Sequence, residues 1–441
     1  MSRKRRRKRR KGSRGKYAWL ALMLSVLCVL ACVGIAAVYF LLRPAGTGTA
    51  GKEGQSAGSE QNAEQSSEQN LGQKPAQEAG QDSGKAPAQE SEQAVPEPEP
   101  TEEELRAQKA REILNGMTLE EKVGQMFIVR CPEEDAAAKA EQYHLGGYIL
   151  FARDFEDKTP ETVREAIEVY QRVSELPMLI GVDEEGGTVT RISRYPAFRA
   201  EPFASPQELY QAGGLEAVAQ DTEEKCELLE SLGVNVNFAP VCDVSENPSD
   251  FIYERSFGQN AQLTAEYVRT VVEKMRERGM LCVLKHFPGY GNNADTHTGI
   301  AYDSRPYETF ETSDFLPFQA GIESGAQMVL VSHNIVSCMD GERPASLSPR
   351  VHEILREELG FTGVIVTDDL AMDGVRDFTD DGNAAVLAVQ AGNDLLCCTD
   401  FETQIPAVLE AVEGGEITEE RIEESVLRIL EMKLAVSDFF Q

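Results

Sequence analysis

Positive charge is what this chain lacks once its first sixteen residues are set aside. Those sixteen hold eleven of the 43 Lys and Arg and no acid, so 32 basic residues face 74 acidic ones over the remainder, a net of about −42. A body this acidic offers no surface to a polyanion, which excludes nucleic acid as a partner. Histidine is scarce at five, and no Cys/His spacing resembles a zinc site. Large apolar side chains are almost missing from residues 43–100, a stretch of Gly, Ser, Ala, Gln, Glu and Pro. It can bury no core and is expected to be a disordered linker, roughly 40 Å from end to end as a flexible coil.

Charge of either sign is missing from Tyr17 to Leu42. The run exceeds the roughly 20 residues that a bilayer crossing needs, and the basic residues before it would keep the N-terminus in the cytoplasm. A cleaved signal peptide, or a lipoprotein signal ending at Cys32, fits less well because the apolar run continues ten residues beyond Cys32. The expected division is a basic cytoplasmic tail at 1–16, a single-pass transmembrane anchor at 17–42, a linker at 43–100 and a folded, extracellular part at 101–441. Of nine cysteines, two lie in the apolar run and seven remain, an odd number that sits mostly in apolar segments. Buried free thiols are expected rather than a disulfide framework.

What is present after residue 100 is one repeated theme. Short apolar runs, at 125–130, 147–151, 177–182, 234–240, 280–284, 328–332, 363–367 and 394–398, alternate with helical patterns such as Pro160 to Ser174, Gly214 to Leu232 and Thr264 to Arg278. Helix starts are marked too, as in Thr118-Leu119-Glu120-Glu121. Eight strand-like runs separated by helices read as parallel βα units, and their number favours a closed ring. The fold class is therefore α/β, a single (β/α)8 TIM-type barrel preceded by a transmembrane helix and a disordered linker.

Chemistry gathers where these runs end. The fifth leads into Lys285-His286-Phe287-Pro288-Gly289-Tyr290-Gly291 and on to Asp295-Thr296-His297. Pro and Gly free such a loop to bend back, and a carboxylate that orients an imidazole leaves its second nitrogen able to carry a proton. Asp295 and His297 taken alone could equally be a turn cap and a solvated side chain. The third run ends in Asp183-Glu184-Glu185-Gly186-Gly187, and the seventh, wholly apolar, ends in Asp368-Asp369. Ionised carboxylates in that position are costly without partners or a purpose. Neighbours in an extended strand point to opposite faces, so only one of Asp368 and Asp369 can face the ring's centre.

The stretch from Lys285 to His297 resembles the signature of the family 3 glycoside hydrolases, in the β-N-acetylglucosaminidase branch, whose motif runs Lys-His-Phe-Pro-Gly-His-Gly and ends in Asp-Ser/Thr-His. It departs at Tyr290. Gly-Val-Asp-Glu-Glu-Gly-Gly-Thr-Val-Thr-Arg is similar to the family's Asp-Gln-Glu-Gly-Gly-Arg-Val-x-Arg, with departures at Glu184 and Thr188; Arg255-Ser256-Phe257-Gly258 and Asp368-Asp369-Leu370-Ala371-Met372 match two further signatures. The resemblance implies that Asp368 is the nucleophile and His297, oriented by Asp295, the acid/base. It implies that Asp183, Arg191, Arg255, Lys285 and His286 hold the sugar, with no metal or other cofactor. Many relatives take their acid/base residue from a second α/β domain. Here little chain follows the eighth run, so the loop after the fifth strand is expected to supply it.

The activity so implied is retaining hydrolysis of terminal β-linked N-acetylglucosamine, the anchor suggesting cell-wall fragments and peptidoglycan turnover. Phosphorolysis through the same site stays open, because an imidazole does not repel an incoming phosphate as a carboxylate would. An inactive wall-binding module is the remaining reading for a tethered barrel. Metal-assisted amide hydrolysis is disfavoured, since no His-x-His closes the first run. Asp243 is expected to orient loop backbone, His333 either to line the pocket or to support structure, and His144 and His352 to sit on polar helical segments without special role.

Overall fold

In the computed structural model the described residues are 100–293, 299–379 and 383–436. They contain strands β1 (Phe127–Arg130), β2 (Gly147–Leu150), β3 (Leu179–Val182), β4 (Val236–Asn237), β5 (Leu281–Phe287), β6 (Tyr302–Asp303), β7 (Met328–Val331), β8 (Ile335–Val336), β9 (Val364–Thr367) and β10 (Leu396–Cys398). Eight of these form one sheet in the order β10-β1-β2-β3-β4-β5-β7-β9, every pairing parallel. Each begins in one of the eight apolar runs, and nearly all their side chains are buried. Parallel strands covered by helices outside and packed side chains inside have no solvent face, which is why they read as continuous apolar runs.

The ring is nearly closed. Between β9 and β10 the ladder shrinks to one bridge, Val366 to Leu395. Two side chains complete this seam: Ile365 N–H donates to Asp394 Oδ2 at 3.0 Å, and Cys397 N–H to Thr367 Oγ1 at 3.0 Å. The buried Asp394 also takes Arg356 at 2.5 Å, Arg428 at 3.0 Å and the Ser425 hydroxyl at 2.8 Å, which rivets the helix Glu419–Ala435 to the seam.

The expected helices form with their start signals in use. Thr118 accepts from Glu121 N–H while Glu121 accepts from Thr118 N–H, a reciprocal cap. The helix Pro206–Leu232 is broken at Gly213 and Gly214, where φ of Gly214 is +67°, so the start expected at Gly214 is a kink.

One part of the expected fold class is corrected. No helix among the described residues is long and apolar enough to cross a membrane, and the uncharged stretch at 17–42 and all but the last residue of the linker at 43–100 lie outside those residues. The physical reason is plain in the helices described. The 27-residue helix carries charges throughout, and the apolar Ala384–Ala391 has eight residues, about 12 Å against the roughly 30 Å of a hydrocarbon core. What stands is the barrel.

Three local expectations also change. β5 continues through Lys285 and His286 to Phe287, because Lys285 pairs with Val241 on one side and Phe287 with Val331 on the other. β6 and β8, two residues each, form a parallel ribbon that no periodicity announces. His352 is buried, its Nδ1 bonded to the Ser348 carbonyl, rather than on a polar surface. Six of the seven cysteines described are buried free thiols and Cys338 is exposed.

Candidate active site

The C-terminal ends of β3, β4, β5 and β9 place the polar residues picked out in the sequence around one mouth. Its centre is Lys285, only 2 % exposed, whose Nζ lies 2.7 Å from Asp183 Oδ1 and 2.6 Å from Glu185 Oε1. An ammonium this deep is tolerable only with anions against it. Glu185 is shared: Arg255 donates to it from Nε at 3.1 Å and Nη2 at 2.7 Å. Burial pushes the Glu185 carboxyl up, but Arg255 and then Lys285 outweigh it and hold the group well below the usual carboxylate range. Sequence reasoning passed Glu185 over. A buried lysine after an apolar strand was the available signal, since such a lysine requires carboxylates nearby.

From Arg255 the network turns to His286. A guanidinium has no acceptor, so Arg255 Nη2 donates to His286 Nε2 across 3.1 Å, and His286 Nδ1 must carry its proton toward Asp243 Oδ2 at 2.8 Å. Asp243 also accepts from the backbone N–H of His286 at 3.1 Å and of Tyr290 at 2.7 Å, the loop-orienting part expected of it. On the other flank Arg191 Nη2 reaches Asp183 Oδ2 at 3.4 Å and its guanidinium lies 5.5 Å from the centre of the Phe151 ring, while Arg130 at the end of β1 lies 4.7 Å from the same ring.

Glu184, fully buried, folds the loop after β3. It accepts from the backbone N–H of Arg191 at 2.9 Å and Ile192 at 2.8 Å and from the Ser193 hydroxyl, so its departure from the family pattern serves the backbone. Thr188 is exposed.

At the end of β9 the two carboxylates part ways. Asp369 turns into the loop, accepting from Ala371 N–H at 3.0 Å, Thr399 N–H at 3.0 Å and the Thr399 hydroxyl at 2.5 Å. Asp368 is half-buried, its backbone N–H on Val331 O at 3.1 Å and its Oδ1 accepting Asp369 N–H at 2.9 Å. Burial, and then the fields of Asp369, Asp368, Cys398 and Asp183, drive the Cys397 thiol well above its ordinary range. The buried His333 supports them from beneath, Nε2 donating to the Asp369 carbonyl at 3.1 Å and Nδ1 meeting Ser346 Oγ at 2.7 Å.

The structure thus brings together Asp183, Arg191, Arg255, Lys285 and His286 in one network and sets Asp368 at the end of β9 in the same ring; Asp295 and His297 lie outside the described residues. Among the described residues no group of three or more His, Cys, Asp or Glu side chains is arranged to hold a metal ion.

The chain matches, over residues 118–432, the family model described as the glycosyl hydrolase family 3 N-terminal domain. It is 36 % identical over 263 residues to a β-hexosaminidase of Nitrosomonas eutropha, covering 58 % of this chain and 74 % of that protein. It is 31 % identical over 328 residues to the β-hexosaminidase LpqI of Mycobacterium tuberculosis, covering 71 % and 82 %. A solved family 3 β-N-acetylglucosaminidase from Paenibacillus sp. str. FPU-7 superposes with a TM-score of 0.67 at 32 % identity over 73 % of this chain. The chain spans 63 % of the length of that structure, less than two thirds.

Proposed function

The chain belongs to glycosyl hydrolase family 3, and on that premise we propose that it is a retaining β-N-acetylhexosaminidase that releases terminal β-linked N-acetylglucosamine from glycans, cell-wall fragments among them. The observation that carries this reading is the division of labour at the end of β9. Both carboxylates are half-buried at the mouth end of β9, where Asp369 spends its side chain on the loop at Ala371 and Thr399 and Asp368 Oδ1 accepts the Asp369 N–H.

A retaining glycosidase needs a carboxylate nucleophile and a proton donor on the two sides of the scissile bond. Asp368 attacks the anomeric carbon, the C1–O bond breaks, and the leaving oxygen takes a proton from His297, oriented by Asp295. Water then gives a proton back to His297 and attacks C1, and the Asp368 ester is released. Asp183, Arg191, Arg255, Lys285 and His286 grip the sugar hydroxyls, and the ion pairs among them keep the grip in one geometry before the sugar arrives.

The test is a mechanism-based fluorinated N-acetylglucosaminide followed by peptide mapping, with product analysis in the presence and absence of phosphate. The label is expected on Asp368, lost in Asp368→Ala and kept in Asp369→Asn, with free N-acetylglucosamine as product. A label on Asp369 overturns the assignment. N-acetylglucosamine 1-phosphate as the main product replaces hydrolysis by phosphorolysis.

A further inference from the structure

Outside the sugar grip, the densest polar cluster at the mouth is built on one guanidinium. Arg305 donates to Asp303 from Nε at 2.9 Å and Nη2 at 2.7 Å, to Asp314 from Nη1 at 2.9 Å, and to the Gly289 carbonyl from Nη2 at 3.0 Å. Asp303 and Asp314 are both buried, and the guanidinium lies 4.4 Å from the centre of the Phe310 ring. Asp303 also accepts from Asn293 Nδ2 at 2.7 Å.

This cluster explains two glycines of the Lys285–His297 motif. A Cβ on Gly289 would meet Asp314 Oδ1 at 2.4 Å, and one on Gly291 would meet Arg305 Nη1 at 2.3 Å. Both glycines also have positive φ, +121° and +53°. Glycine is needed here twice over, for the left-handed turns and to let the backbone lie directly on the Asp314 and Arg305 side chains.

The cluster holds chain on both sides of residues 294–298. On one side it reaches Gly289 and Asn293. On the other, Asp303 lies in β6, which pairs with β8, and Asp314 leads into the helix Phe315–Glu323. Nothing in the sugar grip requires so many charge-assisted bonds at this place.

We propose that Arg305, clamped between Asp303 and Asp314, is the positioning residue for the acid/base: it fixes both ends of the segment that carries Asp295 and His297, and so sets where the proton donor meets the leaving oxygen. This rests on the assignment of His297 made above. Arg305 acts through that segment and takes no part in holding the sugar.

The full chain carrying Arg305→Met, Arg305→Lys or Asp314→Asn is compared with wild type and with His297→Ala by kcat/KM, which reports the glycosylation step. One substrate is an alkyl N-acetyl-β-glucosaminide, whose leaving group needs a proton; the other is the 2,4-dinitrophenyl glycoside, whose leaving group does not. Arg305→Met is expected to lose about 10²-fold on the first and only a few-fold on the second. Arg305→Lys should show the same split, since one ammonium cannot span two carboxylates and a carbonyl. Equal losses on both substrates, or none, overturn the proposal. If Arg305→Met does not fold, Asp314→Asn decides: it keeps the Arg305–Asp303 pair and should give the same split at smaller size, and equal losses there overturn the proposal as well. If His297→Ala itself shows no dependence on the leaving group, the acid/base assignment and the positioning role fall together. If His297→Ala shows it and the clamp variants do not, only the positioning role falls.

Discussion

Two lysines are buried at opposite ends of the barrel, Lys285 at the C-terminal ends of the strands and Lys433 below β1 and β2, with exposures of 2 % and 3 %. Lys285 is surrounded by the carboxylates of Asp183 and Glu185. Lys433 has only neutral acceptors, Gln125 Oε1 at 2.7 Å and the Gly146 carbonyl at 2.9 Å. With no anion beside it, burial alone drives the Lys433 amine down to about 7. The mouth surrounds its lysine with two carboxylates from the loop after β3, whereas the foot offers its lysine only neutral acceptors and keeps the packing. Only the first arrangement sets side chains of opposite charge against one another at the end of the strands.

The largest way to break this comparison is Lys285→Met. It leaves Asp183 and Glu185 facing each other without their shared cation, and removing one partner of a buried pair costs about 3–5 kcal/mol. A lower denaturation midpoint and a loss of at least about 10² in kcat/KM are expected. Unchanged stability would mean that the carboxylates do not depend on this ammonium.

Lys433→Met acts next, and its signature is in pH. Below about 7 the amine is protonated in both folded and unfolded chains; between about 7 and 10.5 the folded chain binds one proton fewer. Wild-type stability should therefore gain up to about 1.4 kcal/mol per pH unit from this group as pH rises across that window. Denaturation series for wild type and Lys433→Met should converge toward high pH, and a constant gap would refute the assignment.

Glu185→Gln is the smallest change. It removes a charge but keeps a side chain that bonds to Lys285 and Arg255, so roughly 1–3 kcal/mol is expected, mainly as a raised KM. Because the folded carboxyl is held low, its contribution is present above the ordinary carboxylate range and is lost as pH falls toward the depressed value. Acid unfolding of Glu185→Gln should accordingly be shallower than that of wild type.

The barrel was legible because each strand is apolar on both faces, which marks all eight runs without any alignment. Most of the polar network at the mouth was legible through its motifs. Glu185 was not, since a carboxylate beside two glycines reads as a turn residue while its partners Arg255 and Lys285 lie far away in sequence. The extension of β5 was hidden because a charged pair ends an apolar pattern even when the backbone ladder continues. β6 and β8 are too short to show a period, and their pairing is what ties the chain beyond residue 298 to the loop after β7. His352 was misplaced because burial of a single side chain on a helix depends on what packs over it.

The closing pair of the ring has a consequence in time. Ile128 in β1 lies opposite Cys397 in β10, 269 residues later. At about 5–20 residues per second of synthesis, β1 is made roughly 15–50 s before the strand that covers its free edge. During that interval an apolar strand, Phe127-Ile128-Val129, presents an unpaired backbone to whatever else is in the cell. Arg130 at its end is the only charge on that edge strand, and so the residue that discourages a wrong neighbour before it ever stands beside the finished mouth.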